Sequence, residues 1–229
     1  MTGQQLHTLK GHTRGILALA LDPTEYQASN GSTTIFSAGS DREVRIWNIS
    51  LTSASEVGSA SGVPSLIVPH ETSINSIYFD SDGDLWTASS DKSTKCLSRS
   101  RGWTEDTKLE HPDFVRDVVV DEYGGWVITA CRDEEVRVWD KSTGKLHCVF
   151  VGHFEEVTGI LYLPGQKVIS VSIDATVRQW SLKASDLAQT IKEAEEEKLG
   201  KVEKERDEKE GLLTAEEEAE LAELMEGSE

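Results

Sequence analysis

Apolar and polar residues alternate with a period of two through much of residues 1–182, which predicts β-strands. In Val136-Arg137-Val138-Trp139 the valines point to one face of a strand and Arg137 and Trp139 to the other; Val44 and Ile46 against Arg45 and Trp47 repeat the pattern. Before the Val136 strand stand an apolar stretch, Val115 to Val120, then a turn, then Trp126-Val-Ile-Thr-Ala. After Asp140, Lys141-Ser-Thr-Gly-Lys reads as a hairpin turn into Leu146-His-Cys-Val-Phe-Val. The unit predicted is an antiparallel meander of four short strands.

The meander recurs. FSAGSDREVRIWN (36–48), WTASSDKSTKCLS (86–98), ITACRDEEVRVWD (128–140) and SVSIDATVRQWSL (170–182) align on Asp41, Asp91, Asp133 and Asp174, with gaps of 50, 42 and 41. A His precedes each segment, at His12, His70, His111 and His153, with gaps of 58, 41 and 42. Two independent markers therefore share one period. The long first interval is attributed to an inserted flexible loop, SLTSASEVGSASGVP (50–64), rich in Ser, Ala and Gly. A four-stranded unit of about 40 residues is the size of a propeller blade. The expected fold is all-β, a β-propeller with four blades near 11–68, 69–109, 110–151 and 152–182.

These residues resemble the WD-repeat family over about 4–182: GH or a variant, a strand pair, Ser/Thr four residues before the Asp, and Trp six after it. The resemblance implies a hydrogen-bonded tetrad in each blade. The sets are His12, Ser37, Asp41 and Trp47; His111, Thr129, Asp133 and Trp139; His153, Ser170, Asp174 and Trp180. Blade two supplies His70, Thr87 and Asp91, but Leu97 replaces the indole. The chemistry suits these types: a turn Asp accepts backbone N–H groups and an imidazole proton, the other ring nitrogen meets the hydroxyl, and the indole N–H ends the chain. Leu97 cannot donate, so blade two is expected to be weaker by about 1 kcal/mol. A Ser–His–Asp set also fits a hydrolase. Four copies, each tied to a turn, argue for a structural role instead, and no catalytic residue is expected.

Closure has two readings. QQLHTLK (4–10) has the look of an outer strand and could complete the last blade, which ends at Trp180-Ser-Leu without one. The alternative, favoured because blades of this type suit wider rings, is the C-terminal part of a larger, about seven-bladed propeller, open-edged and able to self-associate.

Charge is uneven. Residues 183–229 hold 17 acidic and 7 basic residues, net −10 of the chain's −18, leaving −8 for 1–182. This disfavours direct nucleic-acid or anionic-membrane binding and suits a basic partner protein. No apolar run approaches a spanning helix, and MTGQQLHTLKGH lacks the apolar core of a secretory signal, so a cytoplasmic or nuclear setting is expected. Without secretion, the acceptor patterns at Asn30 and Asn48 have no consequence. Cys96, Cys131 and Cys148 are isolated and read as reduced thiols in strands; no metal or cofactor is expected. STGKL (142–146) approaches a phosphate loop but lacks the earlier Gly and the Ser/Thr after Lys145.

From Ala184 the composition turns charged and helix-favouring, with Ser185 as N-cap. TAEEEAELAELM (214–225) opens in capping-box spacing, and Leu221, Leu224 and Met225 share one helical face. The tail, 183–229, reads either as a solvated, partly helical or disordered extension or as a docking helix.

The resemblance further implies a non-enzymatic platform for proteins or peptides, bound on the narrow face of the ring. The positions before each turn Asp are Ser40, Ser90, Arg132 and Ile173; those after the His include Phe114, Arg116, Glu156 and Thr158. Phe114, Arg116 and Arg132 fall in blade three and suit an acidic or phosphorylated segment. The leading expectation is a scaffold in an intracellular complex. Ribosome maturation, chromatin complexes, ubiquitin-ligase substrate recognition and signalling are settings known in the family. An acidic-tail chaperone for a basic client, such as a histone or ribosomal protein, is the other class.

Overall fold

The computed structural model describes residues 3–24, 31–57 and 66–196. Two compact units divide at Lys183 and Ala184. Among the described residues the first unit consists of four antiparallel sheets, one per repeat. Blade one contains β1 (Ile16–Leu21), β2 (Thr33–Gly39), β3 (Val44–Ile49), β4 (Ala54–Glu56) and β5 (Leu66–Ile67). Blade two is β6 (Ile74–Phe79), β7 (Leu85–Ser89), β8 (Ser93–Ser98) and β9 (Thr104–Glu110). Blade three is β10 (Val115–Asp121), β11 (Trp126–Cys131), β12 (Val136–Asp140) and β13 (Leu146–Phe150). Blade four has only β14 (Val157–Leu163), β15 (Lys167–Ser172) and β16 (Val177–Ser181).

The inserted loop expected at 50–64 is shorter than its composition suggests. Both β4 and β5 pair with β3, at Asn48↔Ser55 and Val44↔Ile67, so the insertion interrupts an outer strand that resumes beyond it. Residues 58–65 lie outside the described residues.

Each turn between the second and third strands of a blade has the same strained shape. The residue after the turn Asp is left-handed every time: Arg42, Lys92, Glu134 and Ala175, with φ between 65° and 73°. None is Gly, so each conformation needs outside support. The preceding Asp gives it by accepting the N–H two residues on, Asp41 from Glu43 and Asp174 from Thr176. This is why an Asp marks every repeat.

The inner strands lie side by side, β1 to β6, β6 to β10 and β10 to β14. An apolar cluster fills each of the first two junctions. Phe36 and Ala38 of blade one pack with Ile77 and Leu85 of blade two; Trp86 and Ala88 of blade two pack with Val118 and Val127 of blade three. At the far end of the inner strands a buried Asp fastens each junction: Asp22 to Arg99 at 2.8 Å, Asp80 to Lys141 at 3.1 Å, and Asp121 to the Tyr162 hydroxyl at 2.8 Å. Among the described residues no comparable packing joins β14 to β1, so the blades form an open arc. Residues 4–10, expected to close blade four, form no strand; the His7 ring instead donates to the Ser50 carbonyl at 3.0 Å.

In the second unit, 184–196 is helical, with Gln189 bonded to Glu193 and Lys192 paired with Glu196. The helix begins one residue before Ser185, whose hydroxyl donates to Asp186. Leu221, Leu224 and Met225 lie outside the described residues. Among the described residues no helix is long and apolar enough to cross a membrane.

Candidate protein-interaction face

The His-bearing loops gather at the end of each blade where the turn Asp sits. In blade one the Trp47 indole donates to Ser37 Oγ at 2.7 Å, the Ser37 hydroxyl lies 2.7 Å from His12 Nε2, and His12 Nδ1–H donates to Asp41 at 2.8 Å. The backbone N–H of Thr13 also reaches Asp41, at 2.8 Å. Blade four repeats this: Trp180 to Ser170 at 2.8 Å, Ser170 to His153 at 2.7 Å, and His153 to Asp174 at 2.8 Å. Asp91 and Asp174 are held well below the usual carboxylate range. Burial opposes their ionisation, but bonds from His70 and Ser93, and from Thr176 and His153, outweigh it.

Blade two keeps His70 bonded to Asp91 and Thr87, at 2.8 and 2.7 Å. No orphan results from the missing indole, because Thr87 Oγ1 also lies 3.2 Å from the Lys95 carbonyl. Leu97 is buried in the seam with blade one, beside Trp103 and Ile67. Leu97→Trp, which would restore the family pattern, is therefore expected to overpack this seam and destabilise the protein by about 1–3 kcal/mol; thermal melts would check it.

Blade three departs from its expected tetrad. The Trp139 indole donates to Thr129 at 2.9 Å and Thr129 meets His111 Nε2 at 2.8 Å, but His111 Nδ1–H donates to the Leu109 carbonyl at 3.2 Å. Asp133 instead receives Arg137 through both guanidinium nitrogens, at 3.0 and 2.7 Å. Pro112 removes one donor from Asp133. In the other blades the residue after the His donates its backbone N–H to the turn Asp, as Thr13, Glu71 and Phe154 do. Proline has no N–H to give, and the buried Arg137 supplies the charge-assisted donors. Thus Asp133 holds its turn through an arginine, and burial together with the Arg137 charge pushes His111 down to about 4.

Among the described residues two groups offer metal-type ligands, His12 with Asp41 and Glu43, and Asp80 with Asp84 and Cys96. Both are engaged internally: His12 with Asp41, and Asp80 with two backbone N–H groups, the Trp86 indole and Lys141. All three cysteines are free and buried; burial raises Cys96 and Cys148 to about 12 and Cys131 to about 11.

Around the tetrads the rim residues divide. The Arg132 guanidinium lies 5.2 Å from the centroid of the half-buried Phe114 ring, and its Nε is 3.9 Å from Asp113. Arg116 is neutralised by an ion pair with Glu156 of blade four. Thr158 bonds to the Val171 carbonyl at 3.4 Å, Ile173 is exposed, Ser90 is bonded to Asn75, and Ser40 N–H donates to the Gly15 carbonyl. The structure therefore brings Phe114 and Arg132 together as an aromatic–cation pair, with Arg116 bonded to Glu156 instead.

A family model described as WD domain, G-beta repeat matches residues 3–48, 63–96, 104–140 and 144–181. The chain belongs to this WD-repeat family. An uncharacterized WD repeat-containing protein of Schizosaccharomyces pombe is 37% identical over 223 residues, covering 96% of this chain and 54% of its own length. Nuclear distribution protein PAC1 of Coccidioides posadasii is 26% identical, covering 78% of this chain and 41% of its own. The chromatin assembly factor 1 subunit FAS2 homolog of Oryza sativa is 26% identical, covering 73% and 34%. The chain thus spans about half or less of the length of these relatives. Among solved structures, the computationally designed Ika4 protein shares the fold, with a TM-score of 0.58 and 24% identity over 80% of this chain and 100% of that one.

WD-repeat proteins typically act as protein-interaction scaffolds; two residues that the repeat pattern passed over, Phe154 and Asn75, lie close in sequence to the tetrad histidines. Phe154 follows its His directly and is 74% exposed, with the Arg178 guanidinium 5.8 Å from its ring. Asn75 donates both to Ser90, at 3.0 Å, and across the junction to the Val115 carbonyl, at 2.6 Å. Phe154 was visible as GHF, where the other repeats have Thr13, Glu71 and Pro112.

Proposed function

We propose that the chain is a non-catalytic adaptor that holds partner proteins within an intracellular complex, recognising a peptide segment on the tetrad-bearing face of blades three and four. The observation that supports it is a contrast between spent and available chemistry. The hydroxyls of Ser37, Thr87, Thr129 and Ser170 are buried and committed to histidines, which leaves no free nucleophile among them. On the rim, Phe114 with Arg132 and Phe154 with Arg178 present aromatic and cationic surface of the kind enriched at binding hot spots. With Arg116 paired, the partner segment is one that offers aromatic stacking and a carboxylate or phosphate to Arg132 or Arg178. Two relatives, a nuclear distribution protein and a chromatin assembly factor subunit, suit an adaptor in a cytoplasmic or nuclear assembly.

The acidic tail favours a second reading, the shielding of a basic client. Affinity capture with the full chain and with a form ending at Lys183, identifying what co-purifies, separates the two. Partners retained by the shorter form, and lost at least tenfold with Phe114→Ala and Arg132→Ala together, are expected. Capture that depends on the tail alone, or is indifferent to both rim substitutions, refutes the adaptor reading.

A further inference from the structure

Every internal junction of the arc obeys one rule: the outer strand of a blade leads directly into the His of the next. Three equivalent pairs seat these outer strands on the third strands, Val44↔Ile67, Thr94↔Leu109 and Val136↔Phe150. The outer member of each pair is buried. In blades one and three the outer member stands three residues before the His and its partner three before the Trp, and the same offsets in the fourth blade give Leu9 with Val177. Neither is paired. Leu9 lies in the segment before His12 that forms no strand, and Val177 stands 70% exposed on the free edge of β16.

The blade faces are unmatched in the same way. The register places Leu19 of β1 where β6, β10 and β14 have Ile77, Val118 and Ile160. Those three are buried at 6%, 1% and 8% exposure, covered by the preceding blade, whereas Leu19 is 67% exposed. Beside it, between residues 5–12 and blade one, a groove of about 1170 Å³ is lined by Ile35, Trp47 and Ile49. On the other end face, Leu161 is exposed where its counterpart Val119 is buried. The arc thus carries both halves of one more junction, one at each end.

We propose that a second copy of this chain supplies the missing halves. The 4–10 segment of each copy adds to β16 of the other, and Leu161 of one enters the groove beside Leu19 of the other. A twofold axis then forms two identical junctions at once and gives an eight-bladed ring, within the range that propellers occupy. The occupant is a second copy because the two free faces complete the seam already used three times within the chain, and an unrelated partner would have to imitate both.

The test uses the full chain carrying Leu9→Cys and Val177→Cys, oxidised and run on a denaturing gel without reductant, with each single variant as control. A cross-linked band at twice the chain mass, needing both cysteines, is expected. Light scattering of the unaltered chain is expected to give twice the chain mass, and Leu19→Arg should halve it without changing the β-sheet circular dichroism, since Leu19 already faces solvent. A cross-link only within one chain would mean that a single copy closes on itself, and overturns the proposal. So would a monomeric mass at the highest soluble concentration, no cross-link, or a doubled mass that survives Leu19→Arg.

Discussion

Replacing Trp86 by Ala should lower the unfolding free energy by about 3–5 kcal/mol. Among the described residues this indole is the largest fully buried side chain, and it lies on the seam between blades two and three with Val118, Val120 and Val127. Its N–H donates to Asp80 Oδ2 at 3.0 Å, the carboxylate that Lys141 of blade three also holds at 3.1 Å. Truncation therefore opens a cavity between two blades and removes one donor from a buried carboxylate, two losses that add in the same direction. A domain of ordinary stability has about 5–15 kcal/mol in total, so the variant stands near the edge of folding. Trp126 supplies the comparison: it is half-buried and stacked on His147 at 4.4 Å, and its loss should shift stability by about 1 kcal/mol. Urea titrations would separate them, with a midpoint shift at unchanged slope for both variants. Equal shifts would show that the inter-blade seam does not hold the arc together.

The repeats were legible because their markers solve a local problem. A non-Gly residue with φ near 70° follows each turn Asp, and only a short acceptor in that place can hold it, so the Asp recurs whatever its other partners do. Which tetrads close completely was also written in the sequence, but one residue aside from the motif: Pro112 after His111 removes the donor that Thr13, Glu71 and Phe154 give in the other blades. The pairing of Arg116 with Glu156 is less local. The two are 40 residues apart, one repeat length, as are Asn75 and the Val115 carbonyl, so contacts between blades are visible only when residues are compared across neighbouring repeats. The outer strand of blade one was obscured because a Ser/Ala/Gly-rich insertion has no alternation to show that pairing resumes at Leu66. Exposure of Leu19 was not legible at all. Its alternation matches that of Ile77, and only the neighbouring blade decides which of the two meets water.

Lowering the pH from about 6.5 to about 4 should remove up to roughly 3 kcal/mol of stability through His111 alone. Burial, then the nearby Arg137 guanidinium, brings this imidazole from its ordinary 6.5 down to about 4. Both ring nitrogens are already engaged in the neutral form, Nδ1–H donating to the Leu109 carbonyl and Nε2 accepting from the Thr129 hydroxyl. A proton on Nε2 would have to break the link to Thr129 and stand beside a guanidinium. The unfolded chain binds that proton first, so stability is whole above pH 6.5, declines as the pH falls toward 4, and loses nothing more from this group below it. The turn carboxylates act in a lower window. Asp91, Asp133 and Asp174 have lowered values in the fold, so their contribution is complete above their ordinary 3.8 and is lost as the pH drops through the folded value. Urea unfolding of the wild type and of His111→Gln across this range would separate the two. The variant should be less stable at neutral pH yet lack most of the decline between 6.5 and 4, and the His111 ring resonance should titrate near 4. Parallel declines in both proteins, or a ring that titrates near 6.5, would mean that Arg137 and burial do not hold His111 neutral and that blade three keeps the His–Asp bond of the other blades.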